Sequence, residues 1–475
     1  MKTIKYQDLS DYYEAQIKKG ILKTGDKMPS LRQICSEKKI SMTTAQMVYS
    51  VLESKDLIVS KPKSGYIVCS PYNHKIQLPE ATNPLQKAEN SRPEDAAINV
   101  YDTIDQKHIV QLSLGIPATS FLPVAALNKC IKNAVNTIDY CGVQYDPIEG
   151  NSRLRQQIAK RTLHWNGSIT LEDVITTSGC IPALSYCLQS ITQPGDTIAV
   201  ESPVYFGILQ LAKHLRLKVV ELSTHPQTGI NLDSLEKLLK KQEIATLVIV
   251  SNFSNPLGYC MPDDKKEKLV QLMTQYNIPL IEDDIYGDLY FGEKRPANCK
   301  TFDKEGMVLL CNSISKSLAP GYRVGWILPG KYKDKVIKTK AIQQISDTAI
   351  THQAVALYLE SGKYEKHLRK LRQDLYVNYV KVTKAILEYF PDETRCTQPQ
   401  GGLFLWVELD KSINAFTLYK KALQKNIAIM PGIAFSLQDQ YTHCIRLSYA
   451  SEWNDDVEKA IKELGILIHS MSYVK

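Results

Sequence analysis

Residues 307–323 read MVLLCNSISKSLAPGYR, an apolar run followed at once by a polar stretch. Residues 307–310 are typical of a buried strand, and Lys316 and Arg323 follow six and thirteen residues after Leu310. Similar apolar runs recur along the chain, and helical patterns such as residues 264–276 separate most of them. The other runs are residues 174–177, 197–200, 217–220, 246–250 and 278–281. Alternating strands and helices predict βαβ units and a mostly parallel sheet.

Polar or aromatic residues follow most of these predicted strands. Open parallel sheets bind ligands beyond the carboxyl ends of their strands, so these residues are expected to share one crevice. They are Ser178, Gly179 and Cys180, then Tyr205, Asn255, Asp283 and Tyr286, and finally Ser313, Lys316 and Arg323. Pyridoxal phosphate needs a lysine for a Schiff base, an acid beside its pyridine nitrogen and a phosphate cradle. The inventory therefore points to this cofactor.

Four motifs carry a resemblance to a known family. They are SGC at 178–180, NPLG at 255–258, DDIY at 283–286 and SISKSLAPGYR at 313–323. In this order and spacing, the chain from about residue 112 to its end resembles a fold-type I aminotransferase. The resemblance implies an α/β fold with a large domain built on a mostly parallel sheet and an α+β small domain.

The resemblance also implies a role for each matching residue. Lys316 is expected to be the catalytic lysine that binds pyridoxal phosphate covalently, and Asp283 is expected to pair with the pyridine nitrogen. Arg446 and Gly115 are expected to contact a substrate or effector, with Arg446 clamping its carboxylate. Asn255 and Tyr286 are expected to bond the ring oxygen, and Tyr205 is expected to stack on the ring. Ser178, Gly179, Ser313 and Arg323 are expected to hold the phosphate, and Cys180 is a further expected cofactor contact. Tyr145 is expected to reach the phosphate bound by a partner subunit.

Residues 1–70 predict a separate basic unit. They hold 12 Lys+Arg against 7 Asp+Glu, which is five of the eight net positive charges of the chain. A helix is expected at residues 8–19. Ser30 and Gln33 predict a capping box before a second short helix, and Ser41 predicts the cap of a third. Two β-branched runs around a glycine turn complete a winged helix.

The winged helix resembles the DNA-binding head of GntR-type regulators. Head, linker and aminotransferase-like body together resemble the MocR subfamily of transcription regulators. The resemblance places the third helix in the major groove of double-stranded DNA. Met42 and Gln46 stand where arginines are frequent in that family, so base preference is expected to differ. The candidate DNA contacts are Arg32, Thr43, Thr44, Gln46 and Lys63.

The predicted organisation is a head at 1–70, a linker at 71–110 and a body at 111–475. The large lobe of the body is expected at about 145–335 and the small lobe at about 336–475. With 44% hydrophobic residues the 475-residue chain can bury a sizeable core, and no apolar run reaches the roughly 18 residues of a membrane helix. The 11 cysteines lack CxxC spacing, which favours reduced thiols in a cytoplasm and gives no metal site.

Three functions fit this organisation. The first is a regulator that senses an amine or amino acid through bound pyridoxal phosphate. The second is an active aminotransferase of an amino acid with a vestigial head, and the third is a sensor of pyridoxal phosphate itself. A homodimer is expected, since Tyr145 would serve the neighbouring site. The sequence leaves open the identity of the effector, the direction of regulation and the operator sequence.

Overall fold

A computed structural model describes residues 6–19, 21–22, 26–55, 57–61, 65–68, 77–90, 106, 108–138, 142–167, 169–438 and 440–472. Within these ranges no helix combines the length and the hydrophobicity that crossing a membrane requires. All nine cysteines of the described ranges are free thiols.

The head is a three-helix unit followed by a hairpin. Its helices are α1 (Tyr6–Lys18), α2 (Leu31–Lys38) and α3 (Met42–Ser54), and its antiparallel strands are β1 (Ile58–Lys61) and β2 (Gly65–Val68). Apolar residues of α1 and α3 are buried together, namely Leu9, Tyr13, Ile17, Ala45, Val48, Tyr49 and Leu52. Burial of this stripe holds the short helices together, because isolated helices of this length are marginal in water.

Serine side chains start α2 and α3, as predicted. Ser30 accepts a hydrogen bond from the Gln33 N–H (3.2 Å), and Ser41 accepts one from the Thr44 N–H (3.1 Å). The reciprocal half of the predicted capping box is absent, since the Gln33 amide donates to Glu37 Oε1 (2.8 Å) instead. Gln33 and Glu37 lie four residues apart on one helix face, and the bond between their side chains competes with a bond from Gln33 to the backbone of Ser30.

Part of the predicted linker is bound to the body. Residues 89–90 form strand β3 (Glu89–Asn90), and Thr82 Oγ1 donates to the Ser202 carbonyl (2.8 Å). Strand β3 pairs antiparallel with residues 218–219 at the edge of the main sheet. The strand that contains residues 218–219 lies at the edge of the sheet, where its outer backbone N–H and C=O groups would otherwise be unpaired. Residues 89–90 form hydrogen bonds with these groups.

The large lobe is built on an eight-stranded sheet. Besides β3, its strands are β5 (Ile175–Thr177), β6 (Thr197–Glu201), β7 (Lys218–Leu222), β10 (Thr246–Ile249), β11 (Leu280–Asp283), β12 (Val308–Ser313) and β13 (Gly325–Leu328). The strand order is β3–β7–β6–β10–β11–β12–β13–β5. The four pairings from β7 to β12 are parallel, and β13 is antiparallel to both β12 and β5. Strand β5 therefore points the same way as β12, and the carboxyl ends of both strands lie at the same edge of the sheet.

Helices cover this sheet and connect its strands. They are α4 (Val124–Thr137), α5 (Ser152–Thr162), α6 (Cys180–Ile191), α7 (Phe206–His214), α8 (Leu232–Lys240), α9 (Asp263–Gln275), α10 (Lys333–Gln343) and α11 (Ala349–Glu360). A small hairpin, β8 (Thr224–His225) with β9 (Gly229–Ile230), lies after β7. The strands are buried on both faces, as expected of a parallel sheet between helices.

The small lobe is a four-stranded antiparallel sheet with three helices. The strands are β14 (Arg395–Cys396), β15 (Phe404–Glu408), β17 (Met430–Pro431) and β18 (Cys444–Ser448), and the helices are α12 (Lys363–Tyr389), α13 (Ala415–Gln424) and α14 (Asp455–Ser472). Strand β16 (Ile427–Ala428) pairs in parallel with β4 (Val110–Gln111). This pairing ties the start of the body to the small lobe and places residues 112–117 beside the crevice between the lobes.

The head rests against the body. Tyr6 Oη donates to the Phe291 carbonyl (3.2 Å), and helix α3 lies alongside α12. Thr43, Thr44 and Met47 share a groove with Glu365 and Arg372 of α12.

Candidate active site

One cavity lies where the carboxyl ends of the parallel strands meet. Its wall contains most of the residues predicted for the crevice, drawn from both lobes and from residues 114–116. The predicted residues in the wall are Gly115, Cys180, Tyr205, Asn255, Asp283, Tyr286, Lys316, Arg323 and Arg446. The topology explains the convergence, because most of these residues end or follow a strand, begin a helix or lie on the facing small-lobe sheet, and Arg323 lies between a short 3₁₀ helix and β13.

Lys316 ends a short 3₁₀ helix that follows β12. Its Nζ donates to the Gly115 carbonyl (2.7 Å), so the lysine faces the segment that closes the cavity. Burial and the nearby charge of Arg446 together lower the pKa of Lys316 to about 8, although Asp283 acts in the opposite direction. A lysine with such a pKa is partly neutral near pH 7.5 and can act as a nucleophile.

The two acids at the carboxyl end of β11 have different partners. Asp283 is buried and lines the cavity, where burial raises its pKa to about 6. Its Oδ1 accepts from the Cys180 thiol (3.3 Å) and from the Ile285 N–H (3.1 Å), and both bonds limit the rise of its pKa. Asp284 instead pairs with Arg295 outside the cavity. Asp283 is therefore the acid available to a ligand, and it remains mostly ionised at pH 7.

Asn255, Tyr286 and Arg446 form a connected polar row. Asn255 Nδ2 donates to Tyr286 Oη (3.3 Å), and Arg446 Nη1 donates to Asn255 Oδ1 (2.7 Å). Arg446 also donates to the Ser113 carbonyl, and its guanidinium lies 4.0 Å from the centre of the Phe404 ring. Ring stacking and hydrogen bonds fix the plane of the guanidinium, which suits two parallel bonds to a carboxylate. Burial raises the pKa of Tyr286, so its phenol stays neutral.

A cradle for an anion lies at the start of α6. Gly179 has φ +114°, and a Cβ at this position would overlap Arg323 Nη2. Arg323 donates to the Ser178 carbonyl (3.1 Å) and to Ser315 Oγ (3.3 Å). A guanidinium beside free helix N–H groups is a typical phosphate site. Only a glycine leaves room for the arginine here.

The structure places Ser313 differently from the prediction. Its hydroxyl accepts from the Ser315 N–H (3.2 Å) and so begins the short helix that carries Lys316. Ser315, which the prediction omitted, lines the cavity instead. The Ser178 hydroxyl accepts from the Gln344 amide (2.7 Å) and lies at the margin of the site.

Tyr205 and Tyr145 differ in their position. Tyr205 lines the cavity, as predicted, and its ring packs against Phe206. Tyr145 is 80% exposed and lies outside the cavity of its own chain. Its contact with a partner subunit stays a prediction.

The candidate DNA contacts lie on the head. Arg32, Thr43 and Gln46 are exposed on α2 and α3. The Thr44 hydroxyl shares a hydrogen bond with Ser41 (2.8 Å), which leaves this threonine partly occupied by the helix cap. Lys63 falls outside the described residues. DNA contact by these residues stays a prediction.

Comparisons with known proteins agree with both parts of this architecture. Residues 107–464 match the family aminotransferase class I and II, and residues 5–68 match bacterial regulatory proteins of the gntR family. The uncharacterized HTH-type transcriptional regulator YjiR of Escherichia coli K12 is 34% identical over 98% of this chain and 99% of its own. YdcR of the same organism is similar to the same degree, 34% over 98% and 99%.

A solved structure supports the fold of the body. Pyrococcus horikoshii kynurenine aminotransferase, in complex with PMP, is 27% identical and superposes with a TM-score of 0.73 over 80% of this chain and 95% of its own. The chain thus belongs to the aminotransferase class I and II family and carries a GntR-type helix-turn-helix head, the architecture of MocR-type transcription regulators.

Proposed function

We propose that this chain is a cytoplasmic, homodimeric DNA-binding regulator that senses an amine or amino acid through pyridoxal phosphate attached to Lys316. One segment carries the proposal, because it contacts both functional ends. Asp283 and Tyr286 line the cavity, and the Phe291 carbonyl, five residues beyond Tyr286, accepts the bond from Tyr6 of the head. A ligand that shifts this segment therefore has a short route to the head.

The residues of the cavity fit the cofactor. When bound, pyridoxal phosphate supplies an aldehyde for an amine and a ring that withdraws electrons. Asp283, ionised and buried, would hold a proton on the ring nitrogen, and the neutral Tyr286 would donate to the ring oxygen beside Asn255. The cradle of Gly179 and Arg323 would take the phosphate. Tyr205 would cover one face of the ring.

The effector would compete with Lys316 for the aldehyde. Its amino group would replace Lys316 Nζ, and its carboxylate would meet the Arg446 guanidinium. Attachment of Lys316 to the aldehyde would take its Nζ away from the Gly115 carbonyl, and release of the lysine by the effector would let the hydrogen bond between these two groups form again. Because residues 112–117 follow strand β4, which pairs with β16 of the small lobe, this exchange would alter how the lobes close. Closure would then change how the two heads of a dimer meet paired half-sites.

A second function, transamination, is favoured by the complete set of catalytic groups. Lys316 could also carry a proton between substrate atoms, because burial places its pKa near 8. In agreement, aromatic-amino-acid aminotransferase 1 of Thermococcus litoralis is 29% identical over 76% of this chain. Turnover separates the two functions, since a sensor stops once its effector is bound.

The experiment that tests the proposal combines DNA binding with turnover. Anisotropy of a labelled duplex from upstream of its own gene should report binding that weakens steeply with salt. An amino acid that changes the visible spectrum of the protein should also change this affinity, with few or no turnovers per site. Many turnovers per site, together with a DNA affinity that the amino acid leaves unchanged, would contradict the regulator and support the aminotransferase.

Substituting Arg32 by alanine should weaken DNA binding about equally for all sequences. The loss of one phosphate contact should reduce the slope of log affinity against log salt by about one. Salt titration of the anisotropy signal measures this slope. Lys55→Ala is the matched control, because Lys55 pairs with Glu14 within the head and should leave the slope unaltered. Equal slopes for all three proteins would remove Arg32 from the interface.

Substituting Gly179 by alanine should weaken binding of pyridoxal phosphate at least tenfold. The new Cβ would displace Arg323, and the positive φ adds backbone strain. Gly195→Ala is the matched control, since Gly195 also has a positive φ (+96°) but has no atom within 4 Å of its ideal Cβ. Fluorescence titration of both variants separates strain from the loss of the arginine. Equal losses of affinity for pyridoxal phosphate in the two variants would contradict the proposed phosphate site at Gly179 and Arg323.

Uptake of pyridoxal phosphate should speed up with rising pH through a midpoint of about 8. Only the neutral amine attacks the aldehyde, and burial sets the pKa of Lys316 near 8. At pH 7 the lysine would have roughly 230 times more neutral amine than a free lysine of pKa about 10.4. Stopped-flow absorbance between pH 7 and 9.5 tests this. A rate of uptake that keeps rising tenfold per pH unit up to pH 9.5 would exclude the lowered pKa of Lys316.

A further inference from the structure

The wall of the cavity contains few charged groups. Its only cations among the described residues are Lys316, Arg323 and Arg446, and its only acid is Asp283. The proposed function assigns each of them, to the aldehyde, the phosphate, the effector carboxylate and the ring nitrogen respectively. No charged side chain of the described wall is left to meet a second charge on an effector.

The rest of the wall is mostly apolar. Once the groups assigned to cofactor and carboxylate are set aside, the polar side chains left in the described wall are Cys180, which donates to Asp283, and Ser315, which accepts from Arg323, and the others are aliphatic, aromatic or methionine side chains. Three of them lie close to the groups that would hold the effector. Phe404 stacks on Arg446, Met430 is paired with Arg446 across neighbouring strands, and Ile116 follows Gly115, which accepts from Lys316.

These neighbours determine what the side chain of an amino acid would touch. The amino group is directed at Lys316 and the carboxylate at Arg446, so the third substituent of the α-carbon meets the remaining wall. Phe404 and Met430 are buried, and Ile116 is 37% exposed at the mouth of the cavity. A distal carboxylate there would lose water without gaining a cation, and a distal ammonium would find only Asp283, which the cofactor occupies.

We infer that the effector is an α-amino acid with an uncharged, apolar side chain, rather than a dicarboxylic amino acid or an ω-amine without an α-carboxylate. The inference rests on the proposed function and names the effector class for the same cavity. Each methylene buried against the apolar wall should improve binding about fourfold, and the gain should end once the wall is filled.

A homologous series tests the inference on the full-length holoprotein. L-Alanine, L-2-aminobutyrate and L-norvaline are titrated at pH 7.5 against the visible absorbance, with L-glutamate and 4-aminobutyrate beside them. The half-saturating concentration should fall about fourfold per methylene along the series. L-Glutamate and 4-aminobutyrate should bind at least tenfold more weakly than L-norvaline. Either compound binding as tightly as L-norvaline would overturn the inference while leaving the sensing function intact.

A gain-of-charge variant tests the same wall from the protein side. Ile116→Arg introduces a cation at a partly exposed position. It should shift the ratio of L-glutamate to L-norvaline affinity at least tenfold toward L-glutamate. An unaltered ratio would contradict the contact of Ile116 with the effector side chain. If none of the amines changes the spectrum of a protein that has bound its cofactor, the proposed sensing function fails first, and this inference fails with it.

Discussion

Substituting Lys316 by alanine should abolish the visible absorbance that the wild-type protein develops with pyridoxal phosphate. Lys316 is the only lysine among the described residues of the cavity wall, and its lowered pKa makes it the available nucleophile. Without it the cofactor can bind only through its phosphate and ring, so dialysis should remove it. An absorbance spectrum before and after dialysis measures both effects.

Two controls separate chemistry from folding. Lys316→Arg keeps a positive charge but cannot bond the aldehyde, and it should lose the band as completely as the alanine variant. Added methylamine should restore a band in Lys316→Ala, because it supplies the missing amine inside an otherwise intact site. A full band in either variant without added amine would show that another lysine holds the cofactor.

Substituting Arg446 by leucine should weaken binding of an amino-acid effector at least about 30-fold. Removing one partner of a buried, hydrogen-bonded charge pair costs about 2–5 kcal/mol, which corresponds to about 30-fold or more. Arg446 is buried and held by Asn255, Ser113 and the Phe404 ring, so no other group can take over its position. Spectral titration of the cofactor-loaded variant with L-norvaline measures the loss.

Propylamine provides the control for this substitution. It has an amino group and no carboxylate, so it should bind the wild type and Arg446→Leu about equally. Arg446→Lys should fall between the two proteins, since it keeps the charge but loses the planar pair of donors. If the leucine variant lost propylamine and L-norvaline to the same extent, Arg446 would support the cavity and not the carboxylate.

Much of this site could be predicted because its residues follow strands. A buried strand in a parallel sheet is a short apolar run that is easily recognised, and the first polar residues after it lie at the ligand edge. This rule places Tyr205, Asn255, Asp283 and Lys316 in one cavity, as the structure does. The GntR and aminotransferase family matches confirm the two-part fold.

Other features depend on contacts that a linear pattern does not contain. Ser313 and Ser315 are two residues apart, and the choice between them depends on where β12 ends and the short helix starts. Gln33 could bond its own helix start or Glu37, and the side-chain pair prevails.

Short strands were missed for a related reason. Strand β3 has only two residues, Glu89 and Asn90, which by composition do not favour a strand, and only the open edge of β7 recruits them. Strand β13 was also missed, although its antiparallel insertion brings β5 beside the site.

The covalent bond to Lys316 is tested most directly by peptide mapping. The protein is saturated with pyridoxal phosphate, treated with borohydride to make the lysine–cofactor bond permanent, digested and analysed by mass spectrometry. We expect one modified peptide, carrying the reduced cofactor on Lys316. Modification of a different lysine, or of none, would contradict the assignment of the cavity and with it the proposed sensing mechanism.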